Sequence, residues 1–179
     1  NRDQLAWVEW ERPFMPWESS NLWWSELTKA GNLANSKLIA GTDHDESKKI
    51  SVFQPIWTND NEIVVSEDKN GWWNLILSTS NLRSKKSAHW KRPWPMHAET
   101  AFPQWVYGMA TNSSADEKIF SAFCLQGSWK LNILGLDGSI VEIDQPFDDL
   151  SGINAHGSHA VAIASNSLKG PGLLEIDLN

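Results

Sequence analysis

The groups able to carry covalent chemistry are few. Ser158 lies in Gly157-Ser158-His159-Ala160-Val161, a serine next to a histidine. An α/β-hydrolase nucleophile needs G-x-S-x-G, which places the serine on a strained turn between strand and helix. The second glycine and the spacing are absent here, and the motif occurs nowhere else in the chain. Ser158 therefore reads as a turn residue before a strand, and no catalytic residue is assigned. Cys124 is the single cysteine, set in the apolar run Ile119 to Leu125 with no adjacent His or Lys to favour a thiolate. It reads as a buried, inert thiol.

Ligand chemistry is equally sparse. Asp43-His44-Asp45-Glu46 has ligand types for a hard cation, but no second ligand cluster accompanies it. It reads as a solvated turn, with no metal or other cofactor expected. His156 and His159 stand three apart, a spacing that on a helix would put them on one face. Gly157 and the strand pattern that follows argue against a helix, so both read as turn histidines. The stretch Arg83, Lys85, Lys86, His89, Trp90, Lys91, Arg92, Trp94 interleaves cations with aromatics, as single-stranded nucleic-acid grooves do. The net charge of -7 and a pI near 5.2 oppose a polyanion partner. The stretch is expected to be an exposed connection whose charges keep two tryptophans in water. Asn112-Ser113-Ser114 is a formal glycosylation sequon without a secretory context to give it meaning.

These residues must be positioned by strands. No segment sustains a helical period beyond two turns, whereas alternating runs and turn signals recur throughout. The central stretch is Val52 to Leu77, which reads as three antiparallel strands. One ends in Gln54-Pro55-Ile56-Trp57, Glu62 to Glu67 is the second, and Asn70-Gly71 supplies two positive-φ residues for a hairpin into Trp72 to Leu77. Strands are also expected at Leu5 to Trp10, Asn21 to Leu27 and Lys37 to Ala40. Beyond the weak connection Ser78 to His97, further strands fall at Thr100 to Tyr107, Lys118 to Gln126 and Ser128 to Leu136. Asp137-Gly138 turns the chain into Ser139 to Ile143. Ser151 to Ala155, His159 to Ala164 and, after a Gly170-Pro171-Gly172 turn, Leu173 to Leu178 complete the set.

Trp57 and Trp105 lie 48 residues apart, and Trp7 lies 50 before Trp57. That interval suits four-stranded propeller blades. The expected fold is all-β, a partial β-propeller of about three and a half four-stranded antiparallel blades. The 179 residues would form one domain, with blade units near 1-45, 46-98, 99-147 and 148-179. Propellers typically close with about 4 to 8 blades. The shortfall and the absence of an initial Met suggest a piece of something longer. No apolar run approaches the roughly 20 residues of a membrane span. With no signal-peptide core and no possible internal disulfide, a cytoplasmic location is expected. Twelve tryptophans against one tyrosine suit packing between sheets, ligand platforms or interfaces.

Four ordered segments resemble the propeller of prolyl oligopeptidase family serine peptidases, especially the acylaminoacyl peptidase and dipeptidyl aminopeptidase branch. Trp10 to Leu27, WERPFMPWESSNLWWSEL, is similar to the family's W-D-x-P-x-M-P-W-D-x-x-x-L-W. Gln54-Pro55-Ile56-Trp57 resembles Q-P-x-W, Ser66 to Leu75 resembles S-D-x-x-G-W-W-N-L, and Glu99 to Met109 resembles E-F-x-x-P-Q-W-V-F-G. Thr58-Asn59-Asp60-Asn61 replaces an S-P-D-G turn, and Thr100 replaces the Phe after the glutamate. The resemblance implies a parent in which a propeller gates, and helps bind, peptide substrates for an α/β-hydrolase domain of the same chain. It also implies contact with substrate or with that domain at Arg12, Met15 and Trp17 of the proline-stiffened loop Arg12 to Ser19, and at Glu99. In this family a propeller glutamate often receives a substrate amino group. The alternative is a stand-alone Trp-rich propeller binding a carbohydrate or a protein partner. An incomplete propeller would expose strand edges and a blade face, so the isolated chain is expected to self-associate as a dimer.

Overall fold

The computed structural model describes residues 3–42, 49–79, 81–84 and 88–177. Among them, fourteen strands form four antiparallel sheets and no helix occurs. Sheet 1 contains β1 (Gln4–Glu9), β2 (Asn21–Leu27) and β3 (Leu33–Gly41). Sheet 2 contains β4 (Val52–Trp57), β5 (Ile63–Glu67), β6 (Asn74–Ser78) and the short β7 (Trp90–Lys91). Sheet 3 contains β8 (Asn112–Ala115), β9 (Lys118–Leu125), β10 (Ser128–Gly135) and β11 (Ile140–Ile143). Sheet 4 contains β12 (Asp149–His156), β13 (His159–Asn166) and β14 (Lys169–Asp177). Every strand pairs with its sequence neighbours, the up-and-down order of propeller blades. The fold is a partial β-propeller.

Period-two alternation explains how the sheets stack. On β5, Ile63 and Val65 face Leu22, Trp24 and Ile39 of sheet 1, while Val64 between them faces the other way. That opposite face joins Leu75, Leu77 and Trp94 to Ile119 and Leu134 of sheet 3. The next step repeats on β9. Phe120 and Ala122 turn from Ile119 toward sheet 4, where Ala160, Ala162 and Ala164 on β13 are small enough to admit Phe120 and Leu131. Three apolar layers thus join four sheets.

Several local expectations are corrected. Only Gly71 of the Asn70-Gly71 pair has positive φ, and its N–H donates to Asp68 O at 2.8 Å, closing a four-residue turn. Trp72 and Trp73 lie outside β6, because the Trp73 backbone bonds Glu99 and Thr100 instead of the β5 ladder. Pro103-Gln104-Trp105 is not a strand and does not repeat Pro55-Ile56-Trp57, which sits in β4. The first strands of the sheets begin at Gln4, Val52, Asn112 and Asp149, so the spacing is uneven. Gly170-Pro171-Gly172 lies within β14; the turn is at Asn166, whose side-chain oxygen accepts from the N–H groups of Leu168 and Lys169.

The connection between β6 and β7 also differs from its expected character. Trp94 is fully buried, and its indole N–H donates to Gly135 O at 2.9 Å. Trp90 donates to Ile39 O at 2.8 Å, and Leu82 joins the layer between sheets 1 and 2. Arg83 pairs with Asp3 and Glu26, and Arg92 with the buried Glu67. Lys85 and Lys86 lie outside the described residues.

Candidate functional site

Two clefts share one rim. The first, about 460 Å³, is lined by Trp17, Asp68, Trp73, Glu99, Phe102 and Trp129, with Cys124 and the Gly71 turn at its edge. The second, about 510 Å³, is an apolar groove with Trp10, Met15, Trp17, Trp105 and Tyr107 in its walls. Trp17 belongs to both. Its ring packs on Trp105 with centroids 4.3 Å apart, so this pair forms the partition between them.

A network of buried hydroxyls and amides holds the carboxylate cleft. Thr100, fully buried, donates through both N–H and Oγ1 to Trp73 O, at 2.7 and 2.9 Å. Its own carbonyl accepts from Thr111 Oγ1 and Asn112 Nδ2. Asn112 in turn accepts from Ser121, and Gln54 bridges the sheets by accepting from Thr111 N–H at 2.9 Å and donating to Asn112 O at 2.6 Å. Such a satisfied network fixes geometry because each buried polar group would be costly to leave unpaired. Sheets 2 and 3 are thereby locked at the cleft floor. Asn112 of the formal sequon is a buried member of this network.

Glu99 is fastened twice. Its backbone exchanges hydrogen bonds with Cys124, and its Oε2 accepts from Trp73 N–H at 2.7 Å. Asp68, half-buried on the facing turn, accepts from Ser51 N–H at 2.7 Å. Burial pushes its carboxyl above the ordinary aspartate value, and neighbouring Glu67 adds to the rise. Two carboxylates therefore face a cavity walled by three indoles and a phenyl ring. Chemically this suits an ammonium group, which can pair with carboxylate and lie against aromatic faces.

The Arg12 to Ser19 loop divides by residue. Met15 and Trp17 line the apolar groove, with Met15 44% exposed. The loop is pinned by Ser51 Oγ donating to Pro16 O at 2.8 Å and by Glu18, which accepts from Met15 N–H. Arg12 is exposed on the same loop and lines neither cleft. Of the four expected contact residues, Trp17 and Glu99 share the carboxylate cleft, and Trp17 links it to Met15. Sequence reasoning missed Asp68, Trp73, Phe102 and Trp129 as companions of Glu99. Asp68 and Trp73 carried a signal through the Ser66 to Leu75 motif and Phe102 through the Glu99 to Met109 motif, whereas Trp129 carried none.

The remaining candidates find structural places. Ser158 is in the two-residue turn between β12 and β13. His156 and His159 flank that turn and pair directly across the hairpin, so an i, i+3 pair shares a face without any helix. His159 lies 3.7 Å from Asp177. Cys124 is only half-buried and edges the carboxylate cleft, contrary to its expected burial, because β9 ends there. Asp43-His44-Asp45-Glu46 lies outside the described residues. Among the described residues, no group of three or more His, Cys, Asp or Glu side chains could hold a metal ion. Among the described residues, no helix is long and apolar enough to cross a membrane.

Solved structures share this architecture. A puromycin hydrolase superposes with a TM-score of 0.86 over 98% of this chain at 24% identity. A puromycin-hydrolyzing peptidase of Mycobacterium tuberculosis gives 0.84 over 98% at 21% identity. Prolyl oligopeptidase B from Galerina marginata gives 0.71 over 98% at 12% identity. The chain matches a propeller portion of prolyl oligopeptidase family peptidases. It spans about a quarter of the length of these relatives: 25%, 25% and 23%. No family model matches it, and no curated protein does so.

Proposed function

We propose that this chain is the propeller part of a serine peptidase in the acylaminoacyl peptidase and dipeptidyl aminopeptidase branch. In this reading it gates and helps bind peptide substrates for an α/β-hydrolase domain of the same parent chain, in the cytoplasm. The observation that carries it is the fastened Glu99 carboxylate, facing a cleft with Asp68 and an aromatic wall. The Trp73 N–H occupies one Glu99 oxygen and orients the carboxylate, leaving the other to receive a substrate's α-ammonium group. A half-buried carboxylate holds such a charge better than one in open water, because solvent competes less.

The test is kinetic, in the full-length parent. Glu99→Gln retains an acceptor for Trp73 N–H and removes the charge. KM for substrates with a free N-terminus should rise about tenfold or more, the scale of a lost charged hydrogen bond, while blocked substrates change little. Equal effects on both would remove the assignment.

The same proposal includes self-association of the isolated chain. The face of sheet 1 turned away from sheet 2 presents Leu5 and the stacked Trp7–Trp23 pair. The face of sheet 4 turned away from sheet 3 presents Val161, Ile163 and the neighbouring Leu173. Both are apolar sheet faces of the kind that pack together inside the molecule, and a second copy can cover them.

A further inference from the structure

We propose that the apolar groove beyond the Trp17–Trp105 partition is a subsite for the second side chain of a peptide whose amino terminus lies in the carboxylate cleft, and that it selects an aromatic or large aliphatic residue. This rests on the reading of Glu99 as the amine receptor and extends it to substrate class.

Three observations support the subsite. The first is exposure: Trp105 and Tyr107 are 71% and 93% exposed at the groove, and Met15 and Trp10 add apolar surface beside them. Contiguous apolar surface of this kind marks a binding site more often than a scattered residue does. The second is continuity. Trp17 lines both clefts, and the chain runs directly from Phe102 and Pro103 in one to Gln104 and Trp105 in the other. An extended peptide advances about 3.3 Å per residue with side chains on alternate sides. With its ammonium at Glu99, the first residue fills the carboxylate cleft and the second side chain crosses the partition. The third is chemistry. Gln104 lines the groove with its amide nitrogen buried and without a hydrogen-bond partner in the structure. A rotation of that amide offers a donor to the peptide carbonyl between the two side chains. Charge matches as well, since the acidic end of the paired clefts meets the peptide's only obligatory cation.

The experiment is equilibrium titration of the 179-residue chain with tripeptides, followed by tryptophan fluorescence. Gly-Phe-Gly should bind about tenfold or more tightly than Gly-Gly-Gly, the scale of burying one phenyl group. Phe-Gly-Gly puts its ring among the aromatic walls of the carboxylate cleft instead, so whatever gain it shows should survive Tyr107→Asp. Trp105→Ala should abolish the preference for Phe at the second position, and so should Tyr107→Asp, a change at a site exposed enough to leave the fold intact. Glu99→Gln should weaken all three free peptides together while preserving the Phe preference. A wild-type chain without preference for Gly-Phe-Gly, or a preference that survives both groove variants, overturns the subsite. N-acetyl-Gly-Phe-Gly binding as tightly as the free peptide overturns the amine reading instead, and leaves the Phe preference as a separate score of the groove.

Discussion

Trp94 provides the sharpest test of how the sheets are joined. It sits between sheets 2 and 3 with no exposed surface, packed among Val64, Leu75, Leu77, Ile119 and Leu134. Its indole N–H donates to Gly135 O, which also accepts from Gly138 N–H at 2.9 Å. Trp94→Ala removes a complete buried ring and opens a cavity between two sheets, at a cost of about 3 to 5 kcal/mol. Because Gly138 still satisfies the Gly135 carbonyl, no orphan acceptor adds to that loss. Trp94→Phe keeps most of the packing and loses the indole bond, so it should cost about 1 to 2 kcal/mol. Trp105→Ala, at an exposed rim, should cost about 0.5 kcal/mol or less. Urea unfolding of the three variants, followed by far-ultraviolet circular dichroism, reads these values from the midpoints. If Trp94→Ala and Trp105→Ala shift the midpoint equally, Trp94 is not the joint between sheets.

Two further outcomes follow from the same structure. Burial raises the Asp68 carboxyl above its ordinary value of 3.8, so the fold holds that proton more tightly than the unfolded chain does. The associated stabilisation is full below the unfolded value and is lost as pH rises through the folded one. Asp68→Asn keeps an acceptor for Ser51 N–H, and its urea midpoint relative to the parent should improve between about pH 3 and about pH 7; a gap constant across that range would refute the burial argument. Sedimentation velocity across a concentration series should show the isolated chain passing from monomer to dimer, with an interface above ~1,000 Å². Persistent monomer, or a dimer unaffected by charges placed at Ile163 and Leu173, would show that these faces are not what joins the copies.

The all-β class and most strands were legible in the sequence because alternation is a local property. Asn21–Leu27 has the bounds its pattern implies, and Asp137-Gly138 turns the chain where expected, with φ of +96° at Gly138. The strand count per sheet is less local: β8 (Asn112–Ala115) takes the place expected for Thr100 to Tyr107, which is not a strand, and β7 lies in the stretch read as a weak connection. What the tryptophans do is not local. Trp94 reads as an aromatic of a polar connection and Trp105 as part of a strand, yet the first fills the space between two sheets and the second stands at a rim outside any strand, a difference set by which strands lie opposite. The candidate cleft has the same origin: Trp17, Asp68, Glu99 and Trp129 come from four separate stretches of chain. Pairing between strands can be read from pattern, but convergence at one end of stacked sheets depends on their relative placement, which only the packed tertiary structure decides.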